Sequence, residues 1–130
     1  MALATLLEYI LQAEQVLGFR LPDWLRQRLL KANGGEIYTE DDNWQLYSVL
    51  DVRDRKHAIR SATHLVQETH VARALPEFPA NAIAIADNGA GDRLILSAEF
   101  QTLPEHQAWA WLWAHDGRHP VEAVALQLYA

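Results

Sequence analysis

Two apolar runs, Ala82 to Asp87 and Arg93 to Phe100, flank the short stretch Asn88-Gly89-Ala90-Gly91, and that arrangement makes the chain turn back on itself. Glycine and asparagine adopt positive φ at little cost, which a tight reversal between two strands requires. This is the clearest hairpin in the sequence, so at least part of the fold is an antiparallel sheet.

Other segments add strands to it. From Glu36 onward, Ile37, Tyr38, Trp44, Leu46 and Tyr47 are strand-type residues around the acidic turn Glu40-Asp41-Asp42-Asn43, which predicts a second, short hairpin. After Pro104, the run Trp109-Ala110-Trp111-Leu112-Trp113-Ala114 alternates with period two, so three tryptophans share one face of a strand. Both faces of that strand are apolar, which predicts a covered position under the helices. Val121 to Leu128 reads equally as a short helix after Pro120 or as a final strand.

The N-terminal third has the other periodicity. Leu3, Leu6, Leu7, Ile10, Leu11 and Leu17 place an apolar stripe on one side of a helix within Met1 to Leu17, and Gly18 is set to end it. Glu8, Glu14 and the lack of a basic leader make this an amphipathic helix rather than a signal peptide. A second helix follows Pro22, with Trp24, Leu25, Leu29 and Leu30, and stops at Asn33-Gly34-Gly35. Asp54 to Leu75 has helical spacing weakened by β-branched residues and histidines, so part of it is expected to be irregular. The fold class expected is α+β: N-terminal helices packed on a mostly antiparallel sheet of several short strands.

Length and composition narrow the function classes. One domain over 1–130 can bury its own core, and 50% apolar with 22% charged residues is a globular composition. The absence of cysteine removes disulfides, thiolate zinc sites and thiol catalysis, and fits the cytoplasm. No apolar run reaches the roughly 18 residues of a membrane span. Seventeen acidic against eleven basic residues give a net charge of −6, which repels nucleic-acid backbones and favours basic partners.

Leu17-Gly18, Leu21-Pro22, Asn33-Gly34-Gly35, Trp44-Gln45-Leu46-Tyr47, then Ile83 to Asp92, then Trp111-Leu112-Trp113-Ala114-His115-Asp116 follow one another in an order that resembles the SUKH superfamily. That fold is shared by fungal cell-wall-assembly regulators and bacterial immunity proteins of polymorphic toxin systems. The resemblance implies an α+β domain that binds other proteins, with Leu21, Pro22, Asn33, Gly34, Gly35, Asp87, Asn88, Gly89, Gly91 and Asp92 as structural motif residues. Ala90 stands where the family commonly has another glycine, and the chain after His119 is short for a last family helix.

Candidate sites divide into chemistry and contact. Asp87 and Asp92 in the glycine-rich turn could bind calcium, but the ligand spacing of a calcium loop and the lysine and hydroxyl of a phosphate loop are missing, so a structural hairpin is the better reading. His115, Asp116 and His119 could meet around a metal, although Gly117 and Pro120 argue against the helix that would align the histidines; no metal or other cofactor is expected. Ser48, Ser61 and Ser97 lack a nucleophile's context. The contact candidates are Glu40, Asp41 and Asp42 beside Trp44, with Trp113, His115 and Asp116: acidic side chains near an aromatic anchor suit a basic surface such as a nuclease active site. The basic segment Arg53, Arg55, Lys56 and Arg60, offset by Asp51 and Asp54, reads as a solvated helix start.

The functional expectation is a non-enzymatic protein-binding domain, most concretely a bacterial immunity protein that neutralises a cognate toxin, with no nucleic-acid or membrane partner. A general regulatory or scaffolding module without a toxin is the alternative. A small metal-dependent hydrolase using Asp87, Asp92, His115 and Asp116 comes third.

Overall fold

The computed structural model describes residues 2–98, 107–116 and 120–129. In chain order these form α1 (Leu7–Leu17), α2 (Asp23–Lys31), β1 (Glu36–Tyr38), β2 (Asn43–Leu46), α3 (Arg55–Arg60), α4 (Leu65–Arg73), β3 (Ile83–Asp87), β4 (Arg93–Leu96), β5 (Trp109–Trp113) and β6 (Glu122–Ala125). The architecture is the α+β one expected from the sequence, with helices leading into an antiparallel six-stranded sheet.

The N-terminal helix is shorter than its leucine spacing suggests. Residues before Leu7 are extended because they are tied elsewhere: the Thr5 hydroxyl donates to Asp51 at 2.8 Å, Ala4 O accepts from Arg53 at 3.2 Å and Leu3 O accepts from the Asn33 N–H at 2.7 Å. The buried side of α1 is Ile10, Ala13 and Glu14, so Leu6, Leu7 and Leu11 point to solvent. A carboxylate is tolerated there because Glu14 accepts from the Leu21 N–H at 2.7 Å and from Arg26 Nε at 2.9 Å. Gly18 ends the helix at φ 66°, as its position in the sequence indicates.

Leu21 is wholly buried and Pro22 caps α2, its carbonyl accepting from Leu25 and Arg26. Asn33 then works as a side-chain strand: its amide donates to Val49 O at 2.8 Å and accepts from Val49 N–H at 2.8 Å. Gly34 and Gly35 turn the chain at φ 117° and 82°, which only glycine adopts without strain.

The sheet is a simple meander, β1-β2-β3-β4-β5-β6, each neighbour antiparallel. It curls until Tyr38 of β1 exchanges both backbone hydrogen bonds with Gln127 beyond β6, at 2.9 and 2.8 Å. The C-terminal stretch is a strand: Glu122–Ala125 pairs antiparallel with β5, and Gln127 adds this bridge to β1. Arg28 holds it from the helix side, donating to Leu128 O at 2.9 Å with its guanidinium 5.3 Å from the Tyr129 ring. Of the expected strand from Arg93 to Phe100, the part to Leu96 forms, and Phe100 lies outside the described residues.

Register puts Ile37, Trp44, Leu46, Ala86, Leu94, Leu112 and Val124 on one face, where they join Ile10, Leu25 and Leu29 in the main core. The tryptophans of β5 take the other face. Trp111 and Trp113 pack with Ile95 under Leu75, Phe78 and Val121, and Phe78 meets Trp113 edge-on at 5.2 Å. The covering layer expected over this strand is there, but the segment after α4 provides it for the tryptophans, not α1 and α2. The irregular middle is two helices, α3 capped by the Asp54 carboxylate on His57 N–H at 2.8 Å, with a break at Ser61 to His64.

Candidate protein-binding surface

In an up-and-down meander the turns that follow odd-numbered strands all fall at the same end. The β1–β2 turn, the β3–β4 turn and the chain after β5 therefore meet, and they bring together segments far apart in sequence. Of the contact residues expected from the sequence, Glu40, Asp41, Asp42, His115 and Asp116 lie at this end and are exposed.

The aromatic anchors do not belong with them. Trp44 is only 2% exposed; its ring lies in the main core and its indole N–H donates to Thr39 Oγ1 at 2.9 Å. Trp113 is 5% exposed beneath Phe78. Burial of a large ring outweighs any benefit of presenting it on a small domain, so the surface is polar and the tryptophans stiffen it from below.

The turns are cross-linked by their own polar groups. Asn88 reaches the first turn, its amide donating to Asp42 Oδ2 at 3.0 Å, and its Oδ1 accepts from the Ala90 N–H at 2.9 Å. Asp87 accepts from the Gly89 N–H at 3.0 Å and from the Tyr47 hydroxyl at 2.7 Å. Burial, helped by this carboxylate, pushes the Tyr47 hydroxyl well above its ordinary value. Asp92 accepts from the His115 N–H at 3.0 Å, with the His115 ring Nδ1 2.7 Å from the same oxygen. Burial acts to raise Asp92, but the hydrogen bonds from His115 and Asn88 prevail and its pKa is lowered. Gly91, at φ 101°, leaves room for this pair: a Cβ there would sit 3.1 Å from His115 Cγ.

The motif Asp87, Asn88, Gly89, Gly91 and Asp92 is thus a built turn whose side chains serve the backbone and the neighbouring loops. Leu21, Pro22, Asn33, Gly34 and Gly35 lie elsewhere, in the helix-to-sheet connection. Among the described residues, no three of His, Asp or Glu come close enough to hold a metal ion, and His119 lies outside those residues. Ser48 and Ser61 are buried with hydroxyls spent on carbonyls, Ser48 on Thr63 O at 3.0 Å and Ser61 on His57 O at 2.8 Å.

Beside the turns, on the outward side of β1 to β3, is a shallow open cleft of about 250 Å³ lined by Glu36, Asn43, Trp44, Gln45, Asp87, Asn88 and Gly89. This is below the ~300 Å³ at which small-molecule sites begin, and it fits a single side chain of a partner better than a substrate. Sequence reasoning missed the Asn88 bond to Asp42 and the role of Tyr47, and grouped Asp92 with His115 only as part of a hydrolase site; the parity of turns in a meander places both neighbourhoods.

Among the described residues no helix is long and apolar enough to cross a membrane. No curated protein and no solved structure matches the chain significantly. The sequence profile of the SMI1 / KNR4 family (SUKH-1), however, matches residues 5–127, nearly the whole chain. The helix-to-sheet connection, the glycine turn and the meander described above all fall inside that match, and the chain belongs to the SMI1 / KNR4 family (SUKH-1).

Proposed function

We propose that the chain is a non-enzymatic, cytoplasmic immunity protein that occludes a cognate toxin, such as a nuclease, through the acidic end of its sheet. Family membership supports a protein-interaction domain in general. The observation that carries the finer reading is the convergence of exposed Glu40, Asp41, Asp42 and Asp116 on one end, where they outnumber Arg93, whose guanidinium is turned onto Gly91 O at 3.2 Å. An enzyme that cleaves nucleic acid presents a basic surface, and a rigid acidic face meets it with fast, salt-dependent association. Rigidity matters because ordering mobile loops on binding costs affinity, and here Asn88, Asp42, Asp92 and His115 already lock the turns together.

The test is co-purification from the native host, followed by titration of the recovered partner against Asp41→Lys with Asp42→Lys. A toxin domain should be recovered, and the double variant should bind roughly 100-fold more weakly with a flatter salt dependence. Recovery of no partner, or of one indifferent to the reversal, would remove the proposal. A regulatory interaction module without a toxin would use the same surface; a toxin gene immediately upstream separates the two.

A further inference from the structure

The two edges of the curled sheet meet at one bridge and then part. Ala108 O accepts from the Leu126 N–H at 2.9 Å, and the register of β5 with β6 carries that pattern on, so Glu122, Val124 and Leu126 turn their backbone groups to β5. Ala123, Ala125 and Gln127 turn theirs the other way. Gln127 is satisfied there: its N–H donates to Tyr38 O at 2.8 Å and its carbonyl accepts from the Tyr38 N–H at 2.9 Å. Glu40 is next in line on β1, but the chain has already reversed, with the Thr39 N–H donating to Asp42 O at 3.0 Å. Among the described residues, nothing takes the outward N–H and C=O groups of Ala123 and Ala125.

A free edge usually carries a guard, such as proline, lysine or a bulge, because it pairs readily with any extended chain. This one has none of them. Its register with β5 runs unbroken from Glu122 to Ala125, both alanines are exposed, and a methyl group is all that each projects. The charge around it is acidic: Glu122 begins the strand, and Glu40, Asp41 and Asp42 stand where β1 turns away. Of the cations on neighbouring elements, Arg28 and Lys31 lie beyond Gln127, against the Tyr129 ring, and Arg93 lies across β5 on β4 with its guanidinium on Gly91 O.

We propose that the outer edge of β6 takes up an extended, basic segment of a partner protein, which continues the line of β1 and pairs antiparallel with β6 through Ala123 and Ala125. The open backbone groups specify an extended peptide, since another backbone supplies donors and acceptors at the strand repeat. The acidic border specifies lysine or arginine on it. A second copy of the chain offers the strand without the charge, and pairing β6 with β6 would bring together the acidic turns of two molecules of net charge −6. The assignment stands on the edge and not on the partner being a toxin, and it adds a backbone-mediated contact to the side-chain surface of the turns.

The experiment pans a random short-peptide library on the full chain after subtracting binders of the Ala125→Pro variant. Ala123→Pro and Ala125→Pro each remove an outward N–H that β5 does not use, so circular dichroism and melting should show the fold retained. Surviving peptides should be rich in Lys and Arg and lose about tenfold or more in affinity for either proline variant. A second measurement leaves the protein unaltered. N-methyl groups on one alternate set of a selected peptide's amides should abolish binding to the wild-type chain, and on the other set be tolerated, because alternate amides face opposite sides of a strand. That comparison decides the matter if a proline variant does not fold. Binders that are acidic or neutral, that tolerate both prolines, or that respond equally to both methyl sets overturn the assignment. So does an empty selection, or self-association of the chain that Ala125→Pro abolishes. None of these outcomes bears on the acidic turns, which the titration of Asp41→Lys with Asp42→Lys tests separately.

Discussion

Asp92 and His115, 23 residues apart, are joined twice: one carboxylate oxygen takes the His115 N–H at 3.0 Å and lies 2.7 Å from its ring Nδ1. The pair fastens the chain after β5 to the turn before β4, and so sets the spacing between two of the acidic loops. Because the folded state lowers the Asp92 pKa, the stabilisation is present above the ordinary carboxylate value of 3.8 and is lost as pH falls below it. Asp92→Asn should cost about 1 kcal/mol at pH 7 in urea unfolding, and the gap to wild type should narrow toward pH 3.

Gly91 is tied to the same pair. Gly91→Ala meets both an unfavourable φ of 101° and a contact of 3.1 Å with His115. A loss of about 2 kcal/mol is expected, with perturbed His115 resonances by NMR, whereas Gly89→Ala, with open space around its Cβ, should lose only the conformational part.

Asp51 governs the opposite end. Burial acts to raise its pKa, yet the hydrogen bonds from Arg53 and Thr5 win and hold it at about 2. Against an ordinary value of 3.8 this is worth about 2 kcal/mol, fully present above pH 4 and lost as pH falls through about 2. Asp51→Asn should show that loss at pH 7 and little further change on acidification; thermal melts at pH 7, 4 and 2.5 measure it.

Asn33 makes two backbone hydrogen bonds to Val49 that no other described group replaces. Asn33→Ala leaves a buried N–H and a buried C=O without partners, and should cost about 3 kcal/mol in chemical denaturation. Asn33→Asp should do no better, since a carboxylate cannot donate to the Val49 carbonyl.

Trp113→Ala and Asp41→Lys with Asp42→Lys should separate stability from binding. The first empties a buried site and should cost about 3–4 kcal/mol. The second removes the Asp42 acceptor of the Asn88 amide and should cost only about 1 kcal/mol, while weakening partner association far more. Parallel melts and binding titrations check the pair.

Much of the architecture was legible because local rules and tertiary packing agree. Gly18 ends α1, Asn33-Gly34-Gly35 leads from α2 into β1, and Asn88 to Gly91 closes the β3–β4 hairpin, each through backbone freedom that neighbouring sequence alone sets. The contact residues divided along the same line. Glu40, Asp41, Asp42, His115 and Asp116 are at the surface because charge and polarity favour water wherever the fold places them.

What only the tertiary structure decided is which apolar residues stay inside and which distant polar groups meet. Leu7 and Leu11 have the spacing of a core stripe, but Glu14 takes the inner face because Leu21 and Arg26 satisfy it there, and the leucines rotate outward. Trp44 had the look of an anchor and is buried, and Trp113, on a strand expected to be covered, is covered by Phe78 from the segment after α4. Val121 to Leu128 reads as helix or strand until β5 supplies backbone partners for Glu122–Ala125. Each of these outcomes rests on a partner many residues away, and a one-dimensional pattern carries no term for that distance.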